Sequence, residues 1–152
     1  MSETPLFSGI DHIDLVVKDP DEMAAFFMAL GYRFHRRTDH GGGSIELHFP
    51  GEGEQPILEL TSQQDGTGKV RPLGLRHIAL RADDLQAAIT HFSAKSLSVK
   101  SGPRTIPDTG RTVVNLIDPE GGTLQIVDGG CTVALDTDDA DISAKSVGGV
   151  NF

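Results

Sequence analysis

The 152-residue sequence predicts an α+β fold in which two βαβββ modules form one curved mixed sheet around a cleft, with the helices outside. Three observations carry that prediction. Gly9-Ile10-Asp11-His12-Ile13-Asp14-Leu15 and Gly74-Leu75-Arg76-His77-Ile78-Ala79-Leu80 align at an offset of 65 residues, each with a histidine in the fourth place. Each repeat alternates as a strand does and runs into residues that open a helix. Each helix is then followed by three extended segments punctuated by glycine and proline. A chain of this length supports one real core but is short for two independent domains, so two half-sized modules sharing a core fit best.

In the first module, Ile10 to Val17 reads as a strand with Ile13, Leu15 and Val17 on one side and His12, Asp14 and Val16 on the other. Asp19 caps the helix that follows, Pro20 opens its first turn, and Asp21 and Glu22 complement its N-terminal dipole. Ala24, Phe27, Met28 and Leu30 form its apolar stripe and Gly31 ends it. Extended segments are expected at about Tyr32 to Arg37, Ser44 to Phe49 and Pro56 to Ser62, with turns at Gly41-Gly42-Gly43 and Pro50-Gly51-Glu52-Gly53. The glycine run lacks the Lys-Ser/Thr and the strand-to-helix setting of a phosphate loop.

The second module repeats the order. It has a strand at Leu75 to Arg81, a helix at Leu85 to Ala94 opened by Asp83 and Asp84, and strands near Leu97 to Lys100, Arg111 to Ile117 and Thr123 to Asp128. The predicted domain therefore spans residues 1–128, with module one at 9–62, a polar connector at 63–73 and module two at 74–128. Residues 129–152 read as an acidic tail rich in Gly, Ser and Asp, with Asp136, Asp138, Asp139 and Asp141 close together.

Composition narrows the function classes. A net charge of −9 with no basic cluster makes nucleic acid and anionic membrane surfaces poor partners. Cys131 is the single cysteine, which excludes an intramolecular disulfide and a multi-cysteine zinc cluster. No basic-then-apolar leader and no membrane-length apolar run is present, so a soluble cytoplasmic protein is expected.

The duplication points to the rest of a site. Leu58-Glu59-Leu60 repeats as Leu124-Gln125-Ile126 at an offset of 66 residues, with the flanking aliphatics toward the helices and the polar residue toward the cleft. His12, Glu59, His77 and Gln125 thus converge by parity and symmetry. Two imidazoles, a carboxylate and an amide oxygen suit a divalent transition metal, nickel, cobalt, zinc, iron or manganese, with positions left for substrate. A buried carboxylate between two leucines, as at Glu59, also needs a partner to offset its desolvation. Asp14, Glu46, His48 and Arg81 share cleft-facing parity and are candidates for contact with substrate or support of the ligands; His35, His40 and His91 are expected to be exposed.

These residues carry a resemblance to the vicinal oxygen chelate superfamily, the glyoxalase, bleomycin-resistance and extradiol dioxygenase group. It runs from Ile10 to Asp128 and includes both histidine strands and the hairpin Asp118-Pro119-Glu120-Gly121-Gly122-Thr123-Leu124-Gln125. The spacing of His12, Glu59, His77 and Gln125 is similar to that of bacterial glyoxalase I ligands, except that Gln125 stands where many relatives have glutamate. Read from the second half, His77, Gln125, His12 and Glu59 resemble the His-Gln-His-Glu order of methylmalonyl-CoA epimerases, which makes Glu59 the proton-moving ligand. The resemblance implies a metal-dependent lyase or isomerase that binds a small molecule through two neighbouring oxygens and stabilises an enolate. An extradiol-type dioxygenase and a ligand-sequestering resistance protein are the alternatives; one tyrosine and no tryptophan leave little for an aromatic drug-binding groove. It also implies a homodimer.

Overall fold

Asp19 and Asp84 do what their positions predict. Asp19 Oδ1 accepts the Glu22 amide at 3.2 Å and Asp84 Oδ1 accepts the Ala87 amide at 2.9 Å. They cap helices α1 (Pro20–Ala29) and α2 (Leu85–Ala94). The structure, a computed structural model, describes residues 5–107 and 109–128. The predicted tail at 129–152 lies outside the described residues.

The strands are β1 (Gly9–Val17), β2 (Arg33–Thr38), β3 (Ser44–His48), β4 (Ile57–Ser62), β5 (Gly74–Ala82), β6 (Val99–Thr105), β7 (Thr112–Ile117) and β8 (Thr123–Asp128). With α1 after β1 and α2 after β5, the element order is βαβββ twice, and the class is α+β. The described chain divides into two compact units. The first holds the chain up to His12 and from His77 onward, and the second holds Ile13 to Arg76.

In the second unit the strand order is β2-β3-β4-β1. One face is apolar because Val17, Phe34, Ile45, Leu47 and Leu60 alternate with polar residues, and Ala24 of α1 packs onto them with Met23, Phe27 and Met28. The opposite face collects Asp14, Glu46, Glu59 and Thr61, all buried. The predicted glycine turn forms a 3-10 turn at His40–Gly42. Gly42, at φ +88°, admits no side chain, since a Cβ there would lie 1.8 Å from the Gln64 carbonyl oxygen. The connector at 63–73 is itself ordered: Asp65 Oδ1 gathers the Thr67 and Lys69 amides at 2.7 and 3.2 Å, and Arg71 Nη1 donates to the Gly41 and Ser62 carbonyls at 2.7 and 2.9 Å.

In the first unit the order is β5-β8-β7-β6, with β5 parallel to β8 and the other two pairs antiparallel. Ala88 and Phe92 of α2 pack against Ala82, Leu116 and Ile126. The N-terminal residues Leu6 and Phe7 join this cluster, Phe7 stacking on Phe92 at 6.4 Å, and the Ser8 amide donates to the Arg81 carbonyl at 2.8 Å. One strand departs from expectation. The segment expected near Leu97 to Lys100 begins and ends later, at Val99–Thr105, and runs through Gly102-Pro103. Its pairing with β7 shifts register on both sides of Ser101, and every residue in it is exposed. A bulged edge strand tolerates the proline and the φ of +97° at Gly102, whose missing side chain would otherwise meet the Val113 carbonyl at 2.5 Å.

Candidate metal centre

In the first unit β1 and β5 bring the two duplicated histidines together. His12 and His77 are 3% and 8% exposed, with their Nε2 atoms 3.3 Å apart. The rings meet edge to face, their centroids 5.4 Å apart. The other nitrogen of His12, Nδ1, lies 2.7 Å from Asp11 Oδ2. An ionised carboxylate can only accept, so the hydrogen of this contact is carried by His12 Nδ1.

Asp11 is buried and surrounded by cationic groups. Arg81 Nε lies 3.4 Å from Oδ1 and Arg111 Nε lies 3.4 Å from Oδ2. Burial opposes the charged carboxylate, but the His12 hydrogen bond and the Arg111 and Arg81 charges outweigh it, and the Asp11 pKa falls below its ordinary value.

Gln125 sits on the same face. In the parallel β5–β8 ladder it registers opposite Ala79, two residues from His77. In the β7–β8 ladder it registers opposite Asn115, and its amide nitrogen donates to Asn115 Oδ1 at 3.2 Å. That bond ties the amide nitrogen to Asn115 and leaves the amide oxygen as the group's remaining polar atom. The donor set of this unit, two imidazole nitrogens and an amide oxygen, fits a borderline divalent cation.

In the second unit Glu59 is 5% exposed, and the Ser44 hydroxyl donates to its Oε2 at 3.1 Å. The single Ser44 hydrogen being so used, the 2.6 Å contact between Ser44 and Thr38 has Thr38 as donor. Glu46 registers directly opposite Glu59 and is fully buried. Two facing carboxylates repel, and positive charge must offset them; Arg36, opposite Glu46 in the β2–β3 ladder, places Nε 3.5 Å from Glu46 Oε1.

Asp14 accepts from Thr61 Oγ1 at 2.6 Å and Arg76 Nη1 at 3.1 Å, while the carboxylate that orients His12 is Asp11. Arg81 is engaged with Asp11. His48 is half-buried, its Nε2 3.0 Å from His35 Nδ1. Arg36 Nη2 donates to His35 Nε2 at 2.8 Å, so the His35 hydrogen resides on Nδ1 and is donated to His48. Burial lowers the His48 pKa, aided by the charges of Arg33 and Arg36. His91 is exposed as expected, but His35 is 3% exposed, against expectation. The cause is the register shift between Phe34 and Arg36, which breaks the alternation and leaves Phe34, His35 and Arg36 all buried.

Sequence reasoning missed Asp11, Arg111, Arg36 and Asn115. The signal for Asn115 was present in the β7–β8 hairpin, where it falls opposite Gln125. For Asp11 the signal was an acid adjacent to a candidate ligand histidine, which strict strand alternation does not pick out because it points the two apart.

The model of the Glyoxalase/Bleomycin resistance protein/Dioxygenase superfamily matches residues 9–126. The chain belongs to this superfamily. Among its relatives, lactoylglutathione lyase of Schizosaccharomyces pombe is 23% identical over 135 residues, covering 78% of this chain and 44% of that enzyme. The Bacillus subtilis protein YwbC is 34% identical over 83 residues, covering 53% of this chain and 66% of YwbC. The chain therefore spans less than two thirds of either relative. Among solved superfamily structures, a methylmalonyl-CoA epimerase aligns with TM-score 0.70 at 17% identity, covering 83% of this chain and 98% of that one. The Mycobacterium tuberculosis epimerase gives 0.65 at 20% identity, covering 84% and 92%. Homoprotocatechuate 2,3-dioxygenase of Arthrobacter globiformis gives 0.60 at 16%, covering 78% of this chain and 37% of that chain. At such identities these likenesses establish the fold.

Proposed function

We propose that this superfamily member is a divalent-metal-dependent lyase or isomerase acting on a small molecule with two neighbouring oxygens. Its metal ligands are His12, His77, Gln125 and Glu59, with nickel, cobalt, zinc, iron or manganese as the ion. The observation that carries this reading is the His12–His77 pair, with Nε2 atoms 3.3 Å apart, beside a Gln125 whose amide nitrogen is tied down. Glu59 enters as the fourth ligand on the strength of its burial and of its place in the duplicated pattern. Bound by these residues, the metal supplies a Lewis acid that polarises a carbonyl and favours the enolate.

The chain's own residues supply the rest. Glu59 takes the proton from the carbon beside the carbonyl and returns it to the neighbouring atom on the same face. The Ser44 hydroxyl on Oε2 sets the direction of the other carboxylate oxygen. His12 and His77 hold and orient without exchanging protons. The reading includes a cytoplasmic homodimer; among the described residues, no helix is long and apolar enough to cross a membrane.

Elemental analysis of protein purified without chelator is expected to find about one divalent transition metal per chain. Turnover assays of that protein with α-ketoaldehyde–thiol adducts, acyl thioesters and catechols then assign the reaction. Turnover of an adduct or thioester without oxygen uptake is the expected result; oxygen consumption with a catechol, or tight ligand binding with neither metal nor turnover, would overturn the reading.

A further inference from the structure

We propose that Asp11 is a positioning residue for the centre, one that locks His12 with hydrogen on Nδ1 and so keeps Nε2 available to a cation. The inference rests on the metal-site reading above.

Three pieces of the first unit meet at this carboxylate. Asp11 Oδ2 accepts the His12 Nδ1 hydrogen at 2.7 Å and also faces Arg111 Nε at 3.4 Å. Oδ1 faces Arg81 Nε at 3.4 Å. All of it is enclosed: Asp11 and Arg111 are both 5% exposed, and the Arg81 side chain is 19% exposed. Burying a carboxylate is costly without compensating charge. The two guanidiniums supply that charge, one at each oxygen, and Arg81 Nε donates to Oδ1 at 3.4 Å. Arg111 is held by the start of β7, where its amide donates to Thr109 Oγ1 at 3.2 Å, and Arg81 is held by the Ser8 amide on its carbonyl.

A neutral imidazole left to itself favours neither ring position strongly, and the form with hydrogen on Nε2 cannot ligate through that atom. A carboxylate cannot donate, so it admits a single tautomer. A metal-ligating histidine whose other nitrogen donates to a carboxylate gains both orientation and basicity. An asparagine at the same position breaks the rule, because its two terminal atoms cannot both accept. One faces Arg81; the other, shared by Arg111 and His12, either accepts and leaves Arg81 facing an amide NH₂, or donates and forces the hydrogen of His12 onto Nε2.

The test compares wild-type protein and Asp11→Asn in two measurements. Long-range ¹⁵N–¹H correlation on metal-free, histidine-labelled protein, at about pH 8 and above, reads the protonation and tautomer of His12. Calorimetric titration with Zn(II) reads affinity. The expected result is an Nδ1–H His12 in the wild type, a shift toward Nε2–H in Asp11→Asn, and Zn(II) binding weaker by about 10–100-fold. An Arg111→Gln variant, which keeps the Asp11–His12 bond, is expected to retain the wild-type tautomer. Unchanged tautomer together with unchanged affinity in a folded Asp11→Asn protein overturns the inference and leaves Asp11 as an anchor for the two arginines. If Asp11→Asn does not fold, the wild-type spectrum decides: Nδ1–H supports the inference and Nε2–H overturns it. A wild-type protein that binds no Zn(II) removes the metal reading, and the tautomer measurement separates that failure from one at Asp11.

Discussion

Replacing Glu59 with glutamine is expected to lower kcat by about 10²–10⁴-fold, the range associated with loss of a positioned general base. The amide keeps the size of the carboxylate and an oxygen that can ligate, so metal content is expected to survive while proton transfer is lost. Ser44, which donates to Oε2 at 3.1 Å, can donate equally to an amide oxygen, which limits any structural cost. Steady-state kinetics and elemental analysis of the same Glu59→Gln preparation separate the two roles. Full turnover with metal retained would show that Glu59 does not move the proton. Loss of both metal and turnover would make it a ligand first.

Replacing Arg36 with methionine is expected to destabilise the protein by about 3–5 kcal/mol, because it strands a buried charge. Glu46 is fully buried and registers opposite Glu59, and the Arg36 guanidinium 3.5 Å away is the cation that faces it in the next strand. The same substitution removes the Nη2 donor that sets the His35 tautomer. Urea unfolding of Arg36→Met measures the loss. A double variant, Arg36→Met with Glu46→Gln, is expected to recover part of it, since removing both partners of a buried pair costs less than removing one. A loss below about 1 kcal/mol in the single variant, as for an exposed ion pair, would show that Arg36 does not carry this compensation.

The parts of the fold written in local chemistry were legible in the sequence. Asp19 and Asp84 announce their helices because a short acceptor must satisfy the free amides of a first turn, and both do. The face of β3 that carries Ile45 and Leu47 was legible because a period of two leaves no other way to bury them. The candidate ligands were nominated by duplication: a histidine repeated at 65 residues and a Glu/Gln pair at 66 mark equivalent strand positions whatever the loops between them do.

What the sequence concealed follows from departures in register. The shift between Phe34 and Arg36 buries His35, which the hairpin setting had made an exposed residue, and brings Arg36 onto Glu46. In β1 both Asp11 and His12 are buried, so the acid that orients the histidine is its neighbour, whereas alternation nominates Asp14, which Thr61 and Arg76 occupy. In β6, Gly102-Pro103 reads locally as a break, yet an edge strand needs fewer amides and accommodates it. Bulges and edges are set by tertiary pairing, and a single sequence carries little trace of them.

X-ray absorption at the zinc edge of Zn(II)-loaded protein tests the ligand set most directly. The expected spectrum has nitrogen and oxygen scatterers at about 2.0–2.2 Å, no sulfur at about 2.3 Å, and the outer-shell pattern of two imidazoles, falling to one in His77→Ala. A spectrum without imidazole, or one unchanged in His77→Ala, would contradict a metal centre built on the paired histidines.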